Sequence, residues 1–449
     1  MSQTGVFQDQ ASRPPKIWFK AGSSIRILWL LLGLTLFLFS IIYIRVNIAG
    51  MYVAVPMVAV GIVAGLGLLM VLSRGGRVSR PFFSKYGFLI AAFVGFVAAH
   101  ALALLYGLAQ GAYGDSFGSG EDNPYKILTK IIMGASSFWA IVRFFPRNQK
   151  FLERFWRATL TASVIFFAWL IYQFAFVYKN DFLNANFEHP DERGVRNMLA
   201  FYATVIFPYA FFYFYWAKKR LTGGAAVIVL AVAIIYATSR TAWIGTILAL
   251  IAAICFIARL NIAKGLKMAF SSVVVIGLAV AGGWWFLSDY IHIDTREVSK
   301  RFLYFFDQSA YPELHTYQVR WGRVRTALNA FADSPITGAG LRNPSYLAYG
   351  ETHNSYASIL ADTGLLGAIP FLGILFFITR VCLWRIPRRF DRVNWVSLGS
   401  RASLVVVLWA PAFIYTYTSP HYWIYLALCL VAVETEPFAP SMKTTQTGS

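Results

Sequence analysis

Residues 223–258 read GGAAVIVLAVAIIYATSRTAWIGTILALIAAICFIA. Two apolar runs, 223–238 and 242–258, are separated by Thr238-Ser239-Arg240-Thr241, and Arg240 is the sole charge between residues 223 and 258. A helix needs roughly 20 apolar residues to cross the hydrocarbon of a bilayer, and there it must satisfy its own backbone groups. The pair reads as a helical hairpin in a membrane, each half short enough to be tilted, broken or packed inside a bundle. The turn is too short to carry Arg240 into water, which leaves its guanidinium near the level of the lipid headgroups.

Runs of the same character recur along the chain, near 27–44, 51–72, 86–108, 125–145, 155–178, 197–216, 223–238, 242–258, 268–287, 365–384, 400–416 and 420–434. Hydrophobic residues make up 58% of the 449 positions and the mean hydropathy is +0.57, more than a soluble core requires. The expected fold is an all-α integral membrane protein with about 12 transmembrane helices and one large periplasmic loop. Residues 1–26 and 435–449 read as cytoplasmic tails, 27–287 as helices one to nine, 288–364 as the periplasmic loop with short helices, and 365–434 as helices ten to twelve.

The net charge of +20 is spread over alternate connections, which argues against a nucleic-acid surface. Arg74, Arg77, Arg80 and Lys85 follow the second run, Arg147, Lys150 and Arg154 the fourth, Lys218-Lys219-Arg220 the sixth, Arg259, Lys264 and Lys267 the eighth, and Arg385, Arg388, Arg389 and Arg392 the tenth. By the positive-inside rule these loops and both termini are cytoplasmic. The intervening loops hold the acidic stretches Asp115 to Asp122 and Glu188 to Glu192. The first run, preceded by a basic tail and followed by no convincing cleavage site, reads as a retained helix. Cys255, Cys382 and Cys429 fall in or near apolar runs and imply neither a disulfide framework nor a thiolate metal site.

The interval from Ser288 to Gly364 is the long polar stretch, with seven basic residues. His353 follows Ser334-Pro335-Ile336-Thr337-Gly338-Ala339-Gly340-Leu341 and stands before a predicted helix, with Thr352 placed to cap it. Free N–H groups at such a helix start favour anions, and an imidazole there exchanges protons near neutral pH. The alternative, that His353 only caps and hydrogen-bonds the loop, stays open on the residues alone. His100, His189, His292, His315 and His421 also read as outer or in outer halves of helices.

Arg193, Arg196, Arg240, Arg320, Arg323 and Arg325 form an outer set of guanidiniums. Guanidinium is charged at every accessible pH and grips phosphate bidentately, whereas snorkelling or anionic-lipid contact is the structural alternative. Residues 320–333 carry apolar side chains at helical spacing and read as an interfacial helix. No Asp-x-Asp, His-Glu-x-x-His, phosphate-loop or Gly-x-Ser-x-Gly pattern is present. Phosphate chemistry would therefore lean on arginine, with no metal or other cofactor expected.

Thr238-Ser239-Arg240, then Arg320 with Ala327-Leu328, Ser334-Pro335 with Gly338-Ala339-Gly340, His353-Asn354 and Gly364-Leu365-Leu366-Gly367, in that order, resemble the O-antigen ligase and polymerase superfamily, and the ligase most. The likeness covers roughly residues 190–385. It implies a metal-independent, inverting glycosyltransferase of the membrane-embedded (GT-C-like) type in the bacterial inner membrane, its site facing the periplasm. The implied donor is a polysaccharide on undecaprenyl pyrophosphate and the implied acceptor a sugar hydroxyl of lipid A core. In that scheme His353 is the general base, Arg240 and Arg320 hold the pyrophosphate, and Arg193, Arg196, Arg323, Asn354 and Tyr356 contact substrate. A polymerase would carry an Arg followed eleven positions later by Gly in an outer loop, whereas here that spacing occurs at Arg388 and Gly399, expected inside. A protein-glycosylating relative, a lipid-linked sugar flippase and an anion transporter are the remaining alternatives. The charges gather at outer ends, not at the midplane that a transporter would use.

Overall fold

The computed structural model describes residues 45–48, 51–54, 65, 80–113, 123–178, 196–217, 219–285, 314–343, 352–384, 394–413 and 416–436. Its helices are α1 (Arg80–Ala109), α2 (Pro124–Phe144), α3 (Gln149–Tyr172, continued by a π-turn at Gln173–Val177), α4 (Arg196–Tyr215), α5 (Arg220–Tyr236), α6 (Arg240–Leu260), α7 (Ile262–Trp285), α8 (Leu314–Asp333), α9 (Ser355–Thr379, continued at Arg380–Trp384), α10 (Trp395–Trp409) and α11 (Pro420–Glu434). In order, α1–α7 follow the third to ninth apolar runs and α9–α11 the tenth to twelfth, with α8 between them. Among the described residues seven segments are long and apolar enough to cross a membrane, in α1, α2, α3, α4, α6, α9 and α10. α5 and α11, with 17 and 15 residues, are only ~25 and ~22 Å long.

Two expectations need correction. The second run does not start as a helix: β1 (Arg45–Ile48) pairs antiparallel with β2 (Met51–Ala54), Ile48 facing Met51. Apart from these strands and Gly65, the first two runs lie outside the described residues. The tenth helix also starts earlier than residue 365, because α9 runs from Ser355 and takes in the last ten residues assigned to the loop. Ser355, Ser358, Asp362 and Thr363 look soluble in sequence but are buried in protein.

Helix starts are fixed by side chains that accept otherwise orphaned N–H groups. Asn123, Asn148, Asn354 and Asn394 accept from Tyr125, Phe151, Ala357 and Ser397 at 2.9, 3.2, 3.0 and 2.7 Å. α4 and α10 are the most enclosed spans, bound to each other through Ser403 Oγ donating to the Val205 carbonyl at 2.6 Å. Tyr209 joins the same interface through a 2.9 Å hydroxyl contact with Ser400, and its ring stacks on Trp156 with centroids 3.6 Å apart.

The bundle has two polar ends. At one, Glu434 at the end of α11 meets Lys85 at 2.8 Å and Arg147 at 3.2 Å. Beside them Arg401, 1% exposed, pairs with Glu436 at 2.6 Å and also donates to the Cys382 carbonyl. Lys85 and Arg147 belong to connections assigned to one side of the membrane, as the charge pattern requires. The end of α10, the start of α6 and the start of α9 gather at the opposite end.

Breaking a buried ion pair from one side strands the other charge and costs about 3–5 kcal/mol, whereas replacing both partners by apolar groups costs far less. Glu436→Leu is expected to lower the apparent unfolding temperature of detergent-purified protein sharply, and Arg401→Met combined with Glu436→Leu to recover most of the loss. Equal melting of the single and double variants would contradict this account.

Candidate functional site

The site begins with small residues. Ala327 of α8 is buried against Ala357 and Ala361 of α9, with Val324, Ala330 and Ala339 around them. Alanines at a helix interface let the backbones approach closely. The two helices run in the same direction along their contact, because Ala327 meets Ala357 and Ala361 while Pro335 and Ile336, after α8, meet Leu365 and Leu366, so the turn of α8 before Ala327, with Arg320 and Arg323, lies toward the start of α9.

The chain leaving α8 is sewn onto α9 by backbone. Ala339 N–H donates to the Ala361 carbonyl at 2.7 Å, and Leu365 and Leu366 N–H donate to the Pro335 and Ile336 carbonyls at 2.9 and 3.1 Å. These bonds are available because α9 is broken at Gly364, whose φ is +58° and ψ −152°. A Cβ on Gly364 would sit 2.5 Å from the Ile336 oxygen, and one on Gly338 2.5 Å from Thr363 N. The Gly338 and Gly364 motifs, 26 residues apart in sequence, are thus two halves of one crossing that only glycine permits. The same loop is tied to α1, where Leu341 N–H donates to the Ala103 carbonyl at 3.2 Å and Tyr113 hydroxyl to the Leu341 carbonyl at 2.6 Å.

His353 stands one residue before the true cap of α9. That cap is Asn354, not Thr352. Thr352 hydroxyl instead donates to the Asn354 carbonyl at 3.1 Å and meets Ser358 Oγ. Asn354 Nδ2 donates to the Ala412 carbonyl at 3.0 Å, and Ser355 Oγ accepts from Thr416 N–H at 2.8 Å. Held from both sides, His353 adopts φ +49°, a left-handed conformation that is uncommon without glycine and recurs where surroundings over-determine the backbone.

Arg240 enters the same end from α6. A three-residue link, Ala237 to Ser239, with Thr238 at φ +50° joins α5 to α6, and Trp243 Nε1 donates to the Ile234 carbonyl at 3.0 Å across the hairpin. Arg320 feels the charges of Arg240 and Arg323, and His353 those of Arg320 and Arg323. Burial comes first and the two guanidiniums second in depressing the His353 imidazole to about 4. Burial, then Arg240, then Arg323, likewise oppose the charge of Arg320. The result is a half-buried cluster in which Arg320 stands between Arg240 and Arg323, and Arg320 and Arg323 act on an imidazole that stays neutral well below pH 6. It suits a polyanion, with a neutral imidazole available to take a proton.

Of the residues singled out in sequence, His353, Arg240, Arg320 and Arg323 are brought together. Arg193 lies outside the described residues, as do His189 and His292. Arg196 opens α4, and its neighbour Asn197 shares a small apolar cavity with Thr241, Ala242, Val406, Trp409 and Ala410, so α4 and α6 start at one end of the bundle. Asn354 serves the helix cap, and Tyr356 hydroxyl donates to the Leu408 carbonyl at 3.0 Å, leaving only acceptor capacity. Two histidines belong to the core: His100 Nδ1 donates to the Phe96 carbonyl at 2.8 Å, and His421 Nδ1 lies 3.3 Å from Ser419 Oγ. Among the described residues no group of three His, Cys, Asp or Glu is placed to hold a metal ion. Sequence reading missed Asp362, fully buried in α9 with Tyr417 hydroxyl donating to it at 2.7 Å. Its signal was an acid directly ahead of a long apolar run.

None of the curated proteins matches the chain. Residues 225–372 match the family model described as O-antigen ligase, a stretch that takes in the Arg240 turn, α8, the glycine crossing and His353, and over it the chain is similar to that family.

Proposed function

We propose that this protein is a ligase of the bacterial inner membrane that transfers polysaccharide from undecaprenyl pyrophosphate to a sugar hydroxyl of lipid A core on the periplasmic face. The observation that carries the reading is the meeting of Arg240, Arg320 and Arg323 with His353 at one end of a membrane bundle. Superfamily members are glycosyltransferase-like enzymes of lipopolysaccharide synthesis, and a lipid-linked diphosphate is the polyanion such a cluster would meet at headgroup depth.

The chemistry is a single displacement. The acceptor oxygen forms a bond to the anomeric carbon as the bond from that carbon to the phosphate oxygen breaks, and the bonding pair leaves with the pyrophosphate. Arg240 and Arg320 neutralise the charge that develops on it, as fixed cations at a leaving group do. His353 takes the proton of the attacking hydroxyl. Attack from the opposite face inverts the anomeric centre, and the guanidiniums supply the charge compensation that a divalent cation provides in other transferases. Membrane-embedded GT-C-like architecture, with both termini cytoplasmic, belongs to the same proposal.

His353→Ala is expected to lower transfer to lipid A core roughly 10²–10⁴-fold, and Arg240→Ala or Arg320→Ala roughly 10²–10³-fold, at unchanged protein level. Cells carrying these variants should accumulate full-length polymer on its lipid carrier. Accumulation of single repeat units would make the protein a polymerase instead, and retention in the inner leaflet a flippase.

The imidazole also sets a pH signature. Only its neutral form accepts a proton, so activity is lost as pH falls through its pKa. In the free enzyme that pKa is about 4, and kcat/KM should stay flat from about pH 8 down to about 5, since this parameter reports the free enzyme. A bound pyrophosphate offsets the guanidinium charges, which raises the basicity of His353, so the acid limb of kcat should lie at higher pH than that of kcat/KM. A kcat/KM limb near the ordinary histidine value of about 6.5 would remove His353 from the role of base.

A further inference from the structure

Asp362 lies in α9 between the Ala361 carbonyl that binds the loop and the break at Gly364, and it is fully buried. One carboxylate oxygen accepts the Arg342 N–H at 2.7 Å and the other the Tyr417 hydroxyl at 2.7 Å. Arg342 belongs to the loop that trails α8 and has φ +53°, so this hydrogen bond holds an unfavourable backbone conformation in place. Tyr417 precedes α11; it is fully buried, its carbonyl accepts from Trp423 Nε1 at 2.8 Å, and its ring lies against His100 and Phe96. Through one side chain the loop after α8 is thereby fastened to α9 and to the entry of α11.

Register is what such a node supplies. The buried interface of α8 with α9 consists of alanines, and these bury little area and offer no large knob to resist sliding. Directional hydrogen bonds must set the offset instead. Two donors converge on residue 362, and a carboxylate presents two acceptor oxygens where asparagine presents one. Asp362 is nine residues beyond His353, ~13 Å along a helix, so it does not reach the reacting atoms.

We propose that Asp362 is a positioning residue of the site, holding α8, with Arg320 and Arg323, in register with α9, whose start carries His353. Its kinetic consequence rests on the transferase reading above; its geometric consequence does not. Donor binding needs the guanidiniums alone, whereas transfer needs them at a set distance from the imidazole. Loosening the node should therefore lower kcat and spare the donor KM.

The test uses full-length Asp362→Asn and Tyr417→Phe, the second removing one hydrogen bond with little change of shape should the first fail to fold. Two readouts are taken on folded protein: the titration midpoint of His353 by NMR with labelled histidine, and kcat and donor KM for transfer. As α8 slips, Arg320 and Arg323 withdraw, and the His353 midpoint is expected to rise from about 4 by about one unit or more toward its ordinary value. Turnover should fall about tenfold or more with donor KM within about twofold, and the double variant should be no worse than Asp362→Asn, because both act on one bond. An unmoved midpoint, an unchanged kcat, or losses that multiply in the double variant would overturn the positioning role. A shifted midpoint in a protein whose parent transfers no polysaccharide would leave the positioning role standing and remove the transferase reading.

Discussion

Four charged or chargeable groups of the same sign do not gather unless something else holds them. At the site Arg320 is opposed by the like charges of Arg240 and Arg323, and Arg320 and Arg323 oppose protonation of His353, so packing and backbone hydrogen bonds behind the cluster add to its cohesion. The constraint that makes this possible is the crossing of two backbones at Gly338 and Gly364. There the loop after α8 lies against the interrupted α9, and N–H and carbonyl groups released by the interruption are paired across the contact. A buried, unpaired peptide group costs about 1–3 kcal/mol, so the break is tolerable only with the loop in place, and the loop has this path only because α9 is broken.

The repulsion has a chemical use. Cations brought together in a half-buried site are less well solvated than in open water, which strengthens the positive potential met by an incoming anion. The opposite end of the bundle shows the contrast: Lys85 and Arg147 are matched by Glu434, and Arg401 by Glu436. Charges there hold helices together; at the His353 end guanidiniums are set beside one another.

Much of this was legible in the chain. Membrane helices are signalled by length and composition alone, and the ten apolar runs from 86 onward became helices in order. Arg240 stood out because a short turn between apolar runs leaves a charge nowhere else to go, and His353 because it followed a glycine-rich loop before a helix. What was hidden depends on tertiary contact. A helix was expected to start just after His353, but that it runs on into the tenth apolar run was not, because Ser355, Ser358, Asp362 and Thr363 read as polar while the Thr416 segment and the helix itself satisfy their side chains within the protein. Thr352 looked like the cap, but Asn354 has the geometry and also reaches Ala412. Asp362 gave little local sign of its role, since the value of a buried carboxylate lies in partners 20 residues before and 55 after it.

α5, at 17 residues, ends at the turn that bears Arg240 and faces outward in part, with Leu221 90% and Ile228 53% exposed. An apolar helix shorter than the ~30 Å hydrocarbon layer creates a hydrophobic mismatch that lipids relieve by thinning locally. The bilayer should dimple beside Arg240, bringing headgroups inward on that flank. A long prenyl lipid arriving there would have its diphosphate lowered toward the guanidiniums by the deformed membrane itself, without any movement of the protein.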